Sequence, residues 1–112
     1  MSPRRGEVWL VAFGKTVGRE QAGTRPALVV SVDLFNQSGA ELVIALPLIS
    51  KPKNVRSHVP VVPPEGGLTL PSFIKCEDVR SVSRKRLQKR LGVVSRRTTA
   101  LVEDCLRILL AL

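Results

Sequence analysis

Apolar residues fall along the chain in short runs broken by glycine, proline and charge, a spacing that predicts strands rather than a helical protein. Residues 7–13 read as a first strand, with Val8, Leu10 and Ala12 alternating against Trp9, Val11 and Phe13. Both faces are apolar, so cover is expected on both sides. Residues 14–24 form a long polar loop, of the kind that is usually functional. Residues 27–32 are a second, continuous apolar strand, and residues 33–39 hold a short turn or single helical turn. A third strand is expected at 41–49, where Pro47 implies an edge or a bulge. Residues 50–54 are a basic, proline-broken loop with Lys51 and Lys53, and 56–62 alternate as a fourth strand. Residues 63–67 are a turn, and 68–70 begin the return. A fifth strand is expected over 72–82, with a break around Glu77 and Asp78, and a short last strand over 87–94. Ser95 then has the chemistry of an N-cap for a helix to about Leu110, on which Leu101, Val102, Cys105, Leu106, Ile108, Leu109 and Leu112 share a face. The pattern is mainly β: a small, strongly curved sheet or partial barrel with one terminal helix.

Length fits one domain spanning residues 1–112. Charge changes the picture more. Eighteen Lys and Arg against nine Asp and Glu give a net +9, which predicts attraction to nucleic acid, an anionic membrane or an acidic protein. Nucleic acid ranks first and an acidic partner second. Eight basic residues and no acid occupy 80–97, a run that lengthens the footprint for a phosphate backbone. Cys76 and Cys105 have no CxxC partner and no companion histidines, so neither a zinc site nor a disulfide framework is expected, only two reduced, buried thiols. No metal or other cofactor is implied. The start of the chain lacks the apolar stretch of a signal peptide, and the apolar end at 108–112 is far shorter than a membrane span. A soluble cytoplasmic protein with no membrane partner is expected.

The sole histidine, His58, sits in a strand pattern and reads as solvent-facing or satisfied; no histidine-based triad, Walker loop or GxGxxG is present. With no tyrosine, and with Trp9 and the phenylalanines reading as core, a stacking RNA-recognition sheet is not expected. What remains is arginine, glutamate and hydroxyl chemistry. The stretch Gly18-Arg19-Glu20-Gln21-Ala22-Gly23-Thr24-Arg25-Pro26 gathers an acid, an amide and two arginines at the root of a strand. RNA cleavage by its own 2′-hydroxyl asks for a base and for cationic donors on the phosphoryl oxygens, roles that Glu20 and Arg25 can fill. Glu20 and Arg25 can equally form an ion pair that closes the loop. A second constellation is Lys75, Glu77, Asp78 and Arg80, where alternation puts Lys75 and Glu77 on one face and Asp78 and Arg80 on the other. That set can also be a surface charge ladder. Ser50, beside Lys51, can donate to a phosphate or cap a turn. Arg19, Gln21, Lys51, Lys53 and Arg80 are the candidate RNA contacts.

Arg5-Gly6-Glu7-Val8-Trp9-Leu10-Val11, then Glu20-Gln21-Ala22-Gly23-Thr24-Arg25-Pro26-Ala27-Leu28-Val29, resembles the opening of MazF/PemK/Kid-type toxins of bacterial toxin–antitoxin pairs. The likeness continues through Pro47-Leu48-Ile49-Ser50, Cys76-Glu77-Asp78-Val79-Arg80-Ser81 and the terminal helix. It implies a compact SH3-like barrel of about five to seven strands with a C-terminal helix. It also implies a homodimer and a metal-independent, sequence-specific endoribonuclease that cuts single-stranded RNA through 2′-hydroxyl attack. On the matching positions, Arg25 takes the place of the essential arginine and Glu20 that of the glutamate beside it. Lys75 and Glu77 occupy the places of an acid–base pair of arginine and aspartate. Ile49 replaces the family's threonine, leaving Ser50 to supply the hydroxyl; Arg19 stands for a histidine and Asp78 for a glutamine. The implied partner is a small acidic antitoxin whose tail displaces the loop at 14–24. Two other readings stay open: a basic SH3-like module that binds nucleic acid or protein without cleaving, and a gyrase-poisoning relative, whose Trp-containing tail this chain lacks.

Overall fold

The computed structural model describes residues 2–15, 17–18 and 22–112. Among them are β1 (Glu7–Ala12), β2 (Thr24–Val29), α1 (Asp33–Asn36), β3 (Leu42–Ile49), β4 (His58–Val61), β5 (Ser72–Lys75), β6 (Arg80–Ser83), β7 (Leu87–Val93) and α2 (Arg96–Leu110). Short 3₁₀ turns occupy Glu65–Gly67, Cys76–Asp78 and Arg84–Arg86. The strands form one antiparallel sheet in the order β4-β5-β3-β2-β1-β7, with β6 also on β3. Its end strands do not pair among the described residues, so the sheet curves toward a barrel without closing.

One edge of β3 changes partner along its length: β6 covers residues 42–45, and β5 covers 48–49. Pro47 falls in the gap, where a missing N–H removes no bond to either. The interruption between β5 and β6 is the 3₁₀ turn at Cys76–Asp78, so the single strand expected over 72–82 is two strands that meet β3 separately.

Alternation divides the interior in two. Val8, Leu28, Leu46, Leu48, Ile74 and Cys76 point to the face covered by α2, whose Val102 is buried among them. Val11, Phe13, Ala27, Val29, Val43, Ala45 and Val82 fill the opposite face. Ser95 caps α2 by accepting from the Thr98 N–H, and Glu65 accepts from the Ser95 N–H at 2.9 Å and from the Thr98 hydroxyl. Cys76 is sealed in this interior, and burial, with Cys105 alongside, pushes its thiol up to about 12. Cys105 is only half-buried, which corrects the expectation of two buried thiols.

Glu7 ties the start of the chain to the sheet. Burial opposes its charge, but the Arg4 N–H (2.7 Å), the Arg90 guanidinium (2.6 Å) and the Trp9 indole N–H (3.0 Å) donate to it and hold its carboxyl below the usual 4.5. Glu7→Gln is expected to cost about 1–3 kcal/mol at neutral pH. Because the folded value is depressed, this stabilisation is complete above 4.5 and fades as pH falls through the folded value. Melting curves of both proteins against pH check it: the gap between them should close on acidification.

Candidate functional site

Arg25 stands inside β2 rather than just ahead of it. The expected strand start at 27 is three residues late on this side, because the loop arms zip together: Phe13 N–H to Gly23 O and Gly23 N–H to Gly14 O, each 2.9 Å. Paired with Val11, Arg25 is exposed, and its Nε donates a long 3.4 Å bond to Ala22 O. Thr24, Arg25 and Pro26 form one wall of an open cleft of about 190 Å³; Ile49, Ser50, residues 68–70 and Ser72 form the rest. Arg25 and Ser50, far apart in sequence, therefore line one cleft, together with Thr24 and Thr69. Sequence reasoning missed these threonines and Ser72, since only the β3–β5 pairing carries 69–72 past Ser50.

Lys75 follows Ile74, which pairs with Leu48, so it aligns with Pro47; Pro47 in turn pairs with Ala27, two residues from Arg25. By this register Lys75 and Arg25 share the face opposite α2. Glu77 departs from the expected arrangement. The 3₁₀ turn breaks the alternation, so Lys75 and Glu77 are not a same-face pair, and Asp78 and Arg80 are not on the other side from Lys75. Instead Lys75 Nζ lies 3.8 Å from Asp78, which also takes Arg80 Nη2 at 2.6 Å and Nε at 3.2 Å. Glu77 turns to β4, accepting from Ser57 Oγ at 2.7 Å and His58 Nε2 at 2.8 Å, and it does not line the Arg25 cleft. Burial raises its carboxyl, but the Ser57 and His58 hydrogen bonds outweigh that and hold it below the usual value. His58 is neither solvent-facing nor fully satisfied: its side chain is 4% exposed, and Nδ1 has no hydrogen-bond partner among the described residues.

Lys51 and Lys53 are exposed on the loop that leaves Ser50. Arg80 packs its guanidinium over the Phe13 ring, 4.5 Å from the centroid. Arg19, Glu20 and Gln21 lie outside the described residues. Among the described residues, no three His, Cys, Asp or Glu side chains gather as a metal site, and no helix is long and apolar enough to cross a membrane.

The family described as PemK-like, MazF-like toxin of type II toxin-antitoxin system matches residues 4–110. Endoribonuclease EndoA of Bacillus subtilis is 29% identical over 113 residues, spanning 100% of this chain and 97% of that protein. Endoribonuclease MazF of Staphylococcus epidermidis is 31% identical over 111 residues, 97% of this chain and 92% of that one. The crystal structure of MazF from Deinococcus radiodurans superimposes with a TM-score of 0.89 at 27% identity, covering 100% of this chain and 99% of that chain. In a MazE-MazF structure from the same organism the TM-score is 0.83 at 27% identity, with 100% and 98% covered.

Proposed function

The chain belongs to the PemK-like, MazF-like toxins of type II toxin-antitoxin systems, and on that premise we propose that it is an endoribonuclease cutting single-stranded RNA in the Arg25–Ser50 cleft. The observation that carries this reading is that exposed Arg25 and Ser50 line one open cleft on a chain of net charge +9. The substrate's 2′-hydroxyl attacks the adjacent phosphorus and the bond to the 5′-oxygen breaks, leaving a 2′,3′-cyclic phosphate and a 5′-hydroxyl. Arg25 offers a planar fork to the phosphoryl oxygens as charge builds there, and Ser50 adds a hydroxyl donor. Lys75 extends the positive field along the same face. Glu20, on the loop leading into β2, takes the 2′-proton.

Glu77 is a poor second choice for base, because both its oxygens accept hydrogen bonds and its pKa is lowered. Glu77→Gln is therefore expected to keep kcat within about threefold of the parent, whereas Glu20→Gln lowers it by about 10²- to 10⁴-fold. Single-turnover rates on one mapped site decide between them.

The curated relatives are named endoribonucleases, and MazF of D. radiodurans is crystallised with MazE; by analogy an acidic antitoxin neutralises this chain in the cytoplasm. A homodimer of this one-domain chain fits the exposed apolar side chains Ile108, Leu110 and Leu112 at its end. The assay is incubation with mixed single-stranded RNA in excess chelator, followed by analysis of the ends. Discrete cuts with cyclic phosphate ends support the reading. RNA that is bound in a salt-dependent way but left intact across many sequences favours the non-catalytic binding module instead.

A further inference from the structure

The face that carries Arg25 holds a second basic cleft, of about 340 Å³, lined by Phe13, Lys15, Arg80, Ser81, Ser83 and Arg86 among others. Two of its cations are fixed in place. Arg80 is held by contacts that define its plane: the Phe13 ring lies beneath it at 4.5 Å, and Asp78 grips its edge at 2.6 and 3.2 Å. Arg86 Nη1 donates to Ala12 O at 3.0 Å, at the root of the long loop. Gly14 makes room for it, since a Cβ there would stand 3.2 Å from Arg86 Nη1 on a backbone with φ +75°. Lys15 adds a third cation, and no acidic side chain lines the cleft among the described residues.

We propose that this cleft seats a nucleotide flanking the scissile one: an unstacked base lies on the guanidinium plane of Arg80, and its phosphate lies within reach of Lys15 and Arg86. The inference rests on the RNA-cleavage reading above and adds a separate site to it. A planar cation backed by an aromatic ring is a stacking platform for a heterocycle, whereas an acidic peptide has no use for the plane. The placement fits one continuous strand of RNA. Phe13 is two residues beyond Val11, the partner of Arg25, and therefore shares its face as a diagonal neighbour, about 7–8 Å away by strand geometry.

The test is fluorescence anisotropy with a labelled, uncleavable 2′-O-methyl oligoribonucleotide, titrated over a range of salt. Relative to the parent chain, Lys15→Gln with Arg86→Gln should weaken binding at least tenfold at low salt. It should also flatten the slope of log K against log salt by about 0.7 per lost contact. In cleavage of a mapped RNA the cost should fall on KM more than on kcat. A single abasic position beside the cut should weaken binding to the parent chain, and much less so to Arg80→Gln. Arg56→Gln with Arg107→Gln, an equal charge loss beside and on α2 on the other side of the sheet, should leave the slope unchanged. Unchanged affinity and slope in the Lys15/Arg86 variant overturn the proposal. So does retained RNA binding combined with lost binding to an acidic peptide, which would assign the cleft to a protein partner. Because binding is read without turnover, a parent chain that binds this way but never cuts refutes the catalytic reading alone.

Discussion

Arg25→Ala is expected to slow cleavage of a mapped RNA site by about 10³- to 10⁵-fold, the range seen when an arginine that meets transition-state charge is removed. The structural cost should be small. Arg25 is exposed and its bond to Ala22 O is long at 3.4 Å, so melting should shift by less than a few degrees. That combination, lost chemistry with retained fold, separates a working residue from a packing one. Arg25→Lys should recover only part of the rate, because an ammonium keeps the charge and loses the two-pronged geometry. Equal rates for the parent and the alanine variant would remove Arg25 from the site.

The largest effect on stability is expected at Gly67. Two stretches of backbone touch there: a Cβ on Gly67 would lie 1.8 Å from Leu91 O, and one on Gly92 would lie 2.6 Å from Gly66 C and Gly67 N. Neither neighbour is a side chain that can swing aside, and Gly67 also has φ +70°. The contact matters beyond its size, because Glu65 in the same turn holds the start of α2 through Ser95 and Thr98. Gly67→Ala should therefore cost about 3 kcal/mol or more, part from the left-handed backbone and the rest from parting the segments. In melting temperature that is roughly 10–20 °C. Gly39→Ala is the internal comparison: it has open space around it and no left-handed φ, so its change should stay within about 0.5 kcal/mol. Thermal melts of the two variants side by side check this, and near-equal midpoints would contradict it.

Much of the architecture is legible in the chain because strand alternation and turn chemistry are local. Six strand segments, the helical turn at Asp33–Asn36, the Ser95 cap and the break near Glu77 follow from short stretches of sequence, whereas β5 and β6 read as one strand. What is not legible depends on partners far away in the chain. Pro47 announces an irregularity, but only the meeting of β5 and β6 on one edge of β3 shows that it sits in a gap. Alternation failed for Glu77 because the 3₁₀ turn rotates the backbone, and Ser57 and His58 then claim the carboxylate. Arg25 and Ser50 were singled out separately, and their shared cleft is a product of the β2–β3–β5 register. The role of Phe13 changed most. Read as core, it is indeed buried, yet it also supports Arg80 at the wall of a basic cleft. Composition gave the sign of the surface but not the place where Arg80, Arg86 and Lys15 converge.

The central claim is that this cleft lets RNA cut itself with its own 2′-hydroxyl while Arg25 grips the phosphate. The most direct measurement uses an oligoribonucleotide containing one mapped cleavage site and the same molecule with a single 2′-deoxy substitution on the nucleotide that supplies the attacking oxygen. The account predicts that the all-ribo strand yields a cyclic phosphate end and that the substituted strand stays whole at that bond. Cleavage of the substituted strand at the same phosphodiester would contradict it.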